Sequence, residues 1–213
     1  MEPPSSLSAE PTDIAPKPHC LGFGLWDILD HLGPLTLRIC AERGANLNEL
    51  RDSQTPLWWA CFHNQEKKAR VLHEFGASFH AEAAQGISPL IEACRTHNLS
   101  AFHILMHLQV PLDELDAEGK TPLMWACIRG QRKMARKLIE QGANIHLYDK
   151  KGRCALWYSS EAQELALSRL LVQKGANPHR PDEHAIAAAG FWSDANATEL
   201  LDLFGRNKTA HTF

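Results

Sequence analysis

Cysteine and histidine side chains near the middle of the chain have a spacing similar to that of zinc ligands. Two residues separate Cys94 from His97, and three separate His103 from His107, as in many tetrahedral metal sites. However, Cys94 also belongs to a series of cysteines that recurs every 33 residues. A recurring small apolar residue indicates packing between repeated units. We therefore expect Cys94 to be buried, and we expect neither a metal site nor a cofactor.

Catalytic motifs are missing from the sequence. It contains no G-x-S-x-G elbow, no Walker A loop and no H-E-x-x-H helix, and these are the local patterns of common nucleophiles, phosphate loops and metalloproteases. Gly22 and Gly24 lack the third glycine of a dinucleotide-binding loop, and the paired carboxylates Asp113 and Glu114 lie in an expected loop. We expect no enzyme and no small-molecule substrate.

Basic side chains are concentrated between residues 129 and 153. They are Arg129, Arg132, Lys133, Arg136, Lys137, Lys150, Lys151 and Arg153. Such a run suits nucleic acid or an acidic protein patch. Arg132 and Arg136 lie four residues apart beside the apolar Met134 and Leu138, which is typical of the solvated face of an amphipathic helix. Nucleic-acid binding through the 129–153 face is therefore the alternative function and not the first one.

A 33-residue period organises the chain that carries these side chains. Three tripeptides follow it, namely Thr55-Pro56-Leu57, Ser88-Pro89-Leu90 and Thr121-Pro122-Leu123, with a weaker fourth copy at Cys154-Ala155-Leu156. Ala-Cys pairs and a later leucine recur with the same step, and Gly-Ala pairs close four units. Self-similarity at 20 to 50 residues is typical of repeat solenoids, in which each unit packs against its neighbours.

The repeated residues predict two short helices per unit. Thr or Ser before Pro is a helix start, because the hydroxyl caps free N–H groups and proline suits the first helical position. Gly130 marks the break between the helices, and Asn64 and His97 occupy the same position in other units. Asp followed by Gly at residues 116–119 and 149–152 predicts a tight turn between units.

These features resemble the ankyrin repeat, which has a 33-residue period and the pattern Thr-Pro-Leu-His-x-Ala. The resemblance covers roughly residues 45–180, but the histidine of the pattern is replaced by Trp58, Ile91, Met124 and Trp157. It implies an all-α fold, an ankyrin-repeat α-solenoid of stacked helix-turn-helix units joined by β-hairpin-like turns. The histidine's usual hydrogen bond between hairpin and helix is expected to be absent.

We expect six units between two tails. The predicted ranges are a disordered proline-rich tail at 1–18, a repeat domain at 19–206 and a tail at 207–213. Within the domain we expect an N-terminal capping unit at 19–48, repeats at 49–81, 82–114 and 115–147, a degenerate repeat at 148–180 and a C-terminal capping unit at 181–206. Terminal units are atypical because one side faces water.

Composition indicates a soluble protein of a reducing compartment. The 213 residues are 44% hydrophobic and 22% charged, with a net charge of −3. No stretch approaches 18 uncharged apolar residues, and the start of the chain lacks the basic and apolar regions of a secretory signal. Six cysteines, several at repeat positions that need not meet, argue against a disulfide framework. We expect a cytoplasmic protein with no membrane contact.

The resemblance implies where a partner would bind. It places one repeated position, occupied by Trp59, Glu92, Trp125 and Tyr158, on the concave side formed by the first helices. It places Phe62, His63, Arg95, Ile128 and Arg129 at the exposed ends of these helices, and Ile87, Lys150, Lys151 and Arg153 in the hairpin tips. Trp and Tyr dominate interface hot spots, but the same position also suits bulky residues that are partly buried between units. Both interpretations remain open.

The expected function is therefore non-enzymatic binding of another protein through the concave face and hairpin tips. Two versions are compatible with the residues. One is an adaptor within a larger assembly, and the other is a dedicated inhibitor that neutralises an enzyme or toxin, as an immunity protein does.

Overall fold

The structure, a computed structural model, describes residues 24–79 and 88–176. This part of the chain forms ten helices of seven to nine residues: α1 (Leu25–His31), α2 (Pro34–Glu42), α3 (Pro56–Phe62), α4 (Glu66–Glu74), α5 (Pro89–Thr96), α6 (Leu99–His107), α7 (Pro122–Ile128), α8 (Arg132–Glu140), α9 (Ala155–Glu161) and α10 (Leu165–Gln173). None of these helices is long and apolar enough to cross a bilayer. Over the described ranges, extended pairing is limited to two isolated β-bridges.

The first helix of each unit begins where the tripeptides predict. The Oγ1 atoms of Thr55 and Thr121 accept hydrogen bonds of 3.2 Å from the backbone N–H three residues later. The side-chain cap predicted at Ser88 is wrong, since its hydroxyl makes no capping bond although α5 still begins at Pro89. Helix α9 begins after Cys154 with no side-chain cap. The fixed φ of Pro89 is enough to start α5 without a cap. Helix α9 has neither a side-chain cap nor a proline, so its start depends on burial of the helix.

A left-handed residue separates the two helices of each repeat. Asn64 and His97 have φ of 57° and Gly130 has φ of 63°, as their common position predicts. Gln163 takes the same conformation in the fourth copy, with φ of 55°. The chain can therefore reverse within two or three residues, which places the second helix antiparallel beside the first.

The helix pairs stack into a solenoid. Each first helix packs on the second helix of its own unit, and α7 lies between α5 and α9. The second helices also meet between units, as in α2 with α4 and α8 with α10. The recurring leucines Leu72, Leu105, Leu138 and Leu171 are fully buried, as are Cys61, Cys94 and Cys127. The predicted all-α repeat solenoid is confirmed.

The turns between units are hairpin-like. In the turns at 116–120 and 149–153, the first residue's N–H donates to the carbonyl of the last, at 3.0 and 2.9 Å. The two turns are also joined to each other, because the N–H of Lys150 donates to the carbonyl of Glu118 at 2.9 Å. Neighbouring hairpins thus lie side by side at one edge of the stack.

The described helix pairs fall one each within the five ranges predicted from 19–48 to 148–180. The predicted tails at 1–18 and 207–213 and the capping unit at 181–206 lie outside the described residues, as does the predicted contact residue Ile87.

Candidate partner-binding surface

The thirteen predicted contact residues differ in their exposure. His63, Arg95, Arg129, Lys150 and Lys151 are exposed. Trp59, Phe62, Glu92, Trp125, Ile128 and Arg153 are half-buried, Tyr158 is buried, and Ile87 is outside the described residues. Because α5, α7 and α9 pack side by side, the contact residues of these three helices belong to one continuous surface.

Trp59 lies in an aromatic and cationic cluster at the N-terminal end of the stack. Its ring meets the Trp26 ring edge-on, with centroids 6.3 Å apart, and stacks on His63 at 4.3 Å. The Arg51 guanidinium lies 4.2 Å from the centroid of Trp26 and 5.7 Å from that of Trp59. Arg51 donates to Asp30 at 2.7 Å, and this hydrogen bond lowers the pKa of Asp30. The cluster is therefore held in place by contacts within the chain.

Phe62 and Ile128 are less exposed than predicted. Both were expected to project into water, but each is half-buried and packs against the core. Phe62 also stacks on Trp58, with centroids 4.8 Å apart and planes 10° apart. One helical turn separates the two residues, so their side chains share a face of α3. Trp58 and Phe62 form an apolar strip on α3 that is partly exposed to solvent.

Trp125 is tied to the hairpin that precedes its helix. Its Nε1 donates to the Asp116 carboxylate at 2.8 Å, and the Lys120 ammonium lies 4.7 Å from its ring centroid. The other oxygen of Asp116 accepts the N–H groups of Glu118 and Lys120 at 2.9 and 2.8 Å. One carboxylate thus shapes the turn and orients the indole.

The next unit repeats this arrangement with Tyr158. The Tyr158 hydroxyl donates to Asp149 Oδ2 at 2.5 Å, and the Arg153 guanidinium, which lies 4.9 Å from the Tyr158 ring centroid, donates to the same oxygen at 2.9 Å. Burial would raise the pKa of Asp149, but the hydrogen bonds from Tyr158, Arg153 and Lys151 outweigh it and lower the pKa. Burial and the Asp149 contact raise the pKa of Tyr158.

Tyr158 is therefore misplaced in the predicted contact surface. Its side chain is 4% exposed because its hydroxyl reaches the inward-facing carboxylate of Asp149, and the half-buried Arg153 lies over its ring. The hairpin-to-helix hydrogen bond expected to be absent is supplied by Asp149 and Tyr158, and by Asp116 and Trp125 one unit earlier. Both pairs are nine residues apart, a spacing that the sequence already contained.

Glu92 takes the aromatic position on α5. Its carboxylate accepts from Nε and Nη2 of Arg95 at 2.8 and 2.9 Å. Two predicted contact residues thus neutralise each other on the surface of α5. The ion pair lies on α5, at one end of the row formed by α5, α7 and α9.

The cysteine and histidine side chains whose spacing is similar to that of zinc ligands do not come together at one site. Cys94 is buried, and burial raises the pKa of its thiol to about 12, whereas the side chains of His97, His103 and His107 are exposed. His107 instead contacts Glu66 at 3.1 Å. Among the described residues, no three His, Cys, Asp or Glu side chains are arranged to hold a metal ion.

Trp26 and Arg51 lie in the cluster around Trp59 but were not predicted as contacts. Trp26 lies 33 residues before Trp59, so the repeat series, extended into the first unit, would have identified it. The packing of Arg51 on Trp26 depends on the relative placement of two units, which the sequence pattern does not give.

Comparison with known proteins agrees with this architecture. The family model described as "Ankyrin repeats (3 copies)" matches residues 90–182, and no curated protein sequence matches the chain significantly. The ankyrin repeat domain of Bcl-3, described as a unique member of the IkappaB protein family, has a TM-score of 0.69 and 24% identity, over 84% of this chain and 81% of that one. An ankyrin repeat domain from Acinetobacter baumannii AYE has a TM-score of 0.66 and 22% identity, over 85% and 97%.

Proposed function

Because residues 90–182 match a family model of ankyrin repeats and the described residues have the ankyrin-repeat fold, we propose that this protein binds another protein through its concave face and hairpin tips. Ankyrin repeats are generally modules of protein–protein interaction. The proposal includes no catalytic step. It is compatible with an adaptor and with a dedicated inhibitor that occludes an enzyme or toxin.

Preorganisation of the surface is the observation that carries the proposal. Trp59 is held by Trp26 and Arg51, and Trp125 by Asp116 and Lys120. Each ring is half-buried, so it keeps an open side while its orientation is fixed. A surface that is already ordered loses less conformational entropy on association, and aromatic anchors of this kind commonly dominate binding energy.

A cytoplasmic location is part of the proposal. Cys61, Cys94 and Cys127 are buried and carry free thiols. Free thiols at repeated positions suit a reducing compartment. Burial also raises the pKa of Cys61 to about 12, so this thiol stays protonated and serves packing.

The proposal is tested by capture of a partner from the cells that naturally express the protein. The double variant Phe62→Ala, Trp125→Ala is expected to retain less of any specifically captured protein, by about tenfold or more, because each truncated anchor costs roughly 1–2 kcal/mol or more. Lys133→Ala with Arg136→Ala, on the exposed face of α8, is the matched control. Quantitative mass spectrometry of the captured proteins gives the readout.

Circular dichroism must show that the double variant keeps its helicity. If it does not, His63→Ala with Arg95→Ala replaces it, because both side chains are exposed and their removal leaves the core intact. A folded variant that captures the same proteins as the wild type in the same amounts would contradict binding through the concave face.

A further inference from the structure

We propose that the hairpin tips beside α7 and α9 bind an acidic segment of the partner protein, with Lys150, Lys151 and Arg129 as the contacting cations. This inference rests on the proposed function and adds the chemistry of the partner. The supporting observation is the distribution of charged side chains between the interior and the surface of these two units.

The aspartates that open the two turns, Asp116 and Asp149, face inward. Asp149 is 6% exposed and accepts two backbone N–H groups, the Tyr158 hydroxyl and the Arg153 guanidinium. Asp116 accepts two backbone N–H groups and the Trp125 indole. Their hydrogen-bonding capacity is used within the fold, so neither carboxylate is presented to a partner.

The cations of the same region face outward. Lys150, Lys151 and Arg129 are exposed, and none of them forms an ion pair with another described residue. Residues 129–153 contain eight Lys or Arg and two Asp or Glu, a net charge of +6 in a chain whose total is −3. The positive charge is therefore local and, at these three side chains, uncompensated.

The exposed cations lie in the 149–153 hairpin and at the C-terminal end of α7. Lys150 and Lys151 lie in the 149–153 hairpin, which is hydrogen-bonded to the 116–120 hairpin at Glu118. Trp125 is tied to that second hairpin, and Arg129 follows it by one helical turn at the end of α7. Residues four apart on a helix are neighbours. An extended acidic segment can run from the hairpin tips across Trp125 to Arg129.

The rings favour a peptide over a nucleic acid. Nucleic-acid strands bind through stacking of bases on open aromatic faces together with phosphate contacts. Here a cation already lies near each ring, namely Lys120 at 4.7 Å from the Trp125 centroid and Arg153 at 5.0 Å from that of Trp157. Glu118 is exposed but pairs with Lys120 at 2.6 Å, whereas Glu161 is exposed at the end of α9 and would repel a continuous phosphate backbone. Discrete carboxylates on a peptide can avoid Glu161.

Fluorescence anisotropy on the full chain tests the inference. The probe is a fluorescein-labelled 15-residue peptide of Glu and Leu, compared with a peptide in which Lys replaces Glu and with a single-stranded DNA of equal charge. We expect the acidic peptide to bind more tightly than either competitor. We expect its affinity to fall as salt rises from about 50 to 200 mM, since exposed charges are screened.

Charge reversal locates the site. Lys150→Glu with Lys151→Glu is expected to weaken binding of the acidic peptide at least tenfold, while Lys133→Glu with Arg136→Glu, the same charge change on the outer face of α8, is expected to have a much smaller effect. Equal effects of the two variants, stronger binding of the Lys peptide or of DNA, or no binding of the acidic peptide would each overturn the proposal.

The partner-capture experiment separates this inference from the proposed function. If the Phe62→Ala, Trp125→Ala variant loses the partner and the Lys150→Glu, Lys151→Glu variant retains it, binding through the concave face is supported. The same result overturns the proposal that the partner contributes an acidic segment. A partner lost with both pairs of substitutions, together with tip-dependent binding of the acidic peptide, supports both.

Discussion

Single carboxylates organise the described hairpins that precede α7 and α9. Asp116 and Asp149 each use one oxygen to accept the N–H groups of their own turn and the other to hold an aromatic side chain nine residues later. Hydrogen bonds to a charged acceptor are stronger than neutral ones. The conformation of each tip, and the direction of the cations it carries, therefore depends on one buried or partly buried side chain.

Replacement of Asp149 by Asn is expected to lower the free energy of unfolding by about 1.5–3 kcal/mol at pH 7, the usual range for hydrogen bonds to a charged group. The folded pKa of Asp149 is lowered, so its contribution is complete above its unfolded pKa of about 4 and is lost as the pH falls through the folded pKa. Urea unfolding of wild type and variant at several pH values measures the difference. A difference that is constant down to the lowest pH would contradict this role.

At the scale of elements, a left-handed residue sets the antiparallel pairing of the helices. Glycine occupies this position at Gly130 only, and Asn64, His97 and Gln163 adopt the same conformation in the other described repeats. A residue with a Cβ atom is disfavoured there by about 1–2 kcal/mol, with less penalty for Asn. The helix pairs thus form in spite of a local cost, because packing between units outweighs it.

Gln163→Gly is expected to stabilise the protein by about 0.5–1 kcal/mol, since relief of the left-handed strain exceeds the entropy that glycine adds to the unfolded chain. Gln163 is exposed, so no packing is lost. Thermal unfolding should show a higher Tm. Ala162→Gly is the control, because Ala162 has φ of −75° and no such strain to relieve. An equal loss of stability in both variants would show that the positive φ of residue 163 does not reduce the stability of the protein.

At the scale of the whole molecule, stability comes from contacts between successive units. Leu138 is fully buried in α8, which packs on α7 and α10. Buried polar bonds also cross between units, as when the Lys68 ammonium donates to the Leu29 carbonyl at 2.6 Å and Gln131 to the Cys94 carbonyl at 2.7 Å. In such a stack each unit is stable only with its neighbours.

Leu138→Ala is expected to cost about 2–5 kcal/mol, as for other buried leucines, and to loosen the adjacent units as well. Urea unfolding followed by circular dichroism gives the loss of stability, and hydrogen exchange of α7 and α10 shows whether the effect spreads. Glu140→Ala, at an exposed position of the same helix, should change stability by no more than about 0.5 kcal/mol. Exchange that rises only within α8 would contradict the coupling between units.

The sequence alone determined the repeat, the helix pairs and the left-handed breaks. These depend on neighbours within one unit: Thr55 before Pro56, the glycine at Gly130 and the recurring leucines. Such local chemistry is the same wherever the unit lies in the stack, so periodicity is enough to recognise it.

Only the tertiary structure decided which large side chains are available to a partner. Trp125 and Tyr158 occupy the same repeat position, yet one ring is half-buried and the other buried. Trp59 is framed by Arg51 of the preceding turn and by Trp26 of the preceding helix pair. The exposure of a side chain depends on atoms from several units. Its position within its own repeat therefore does not determine it.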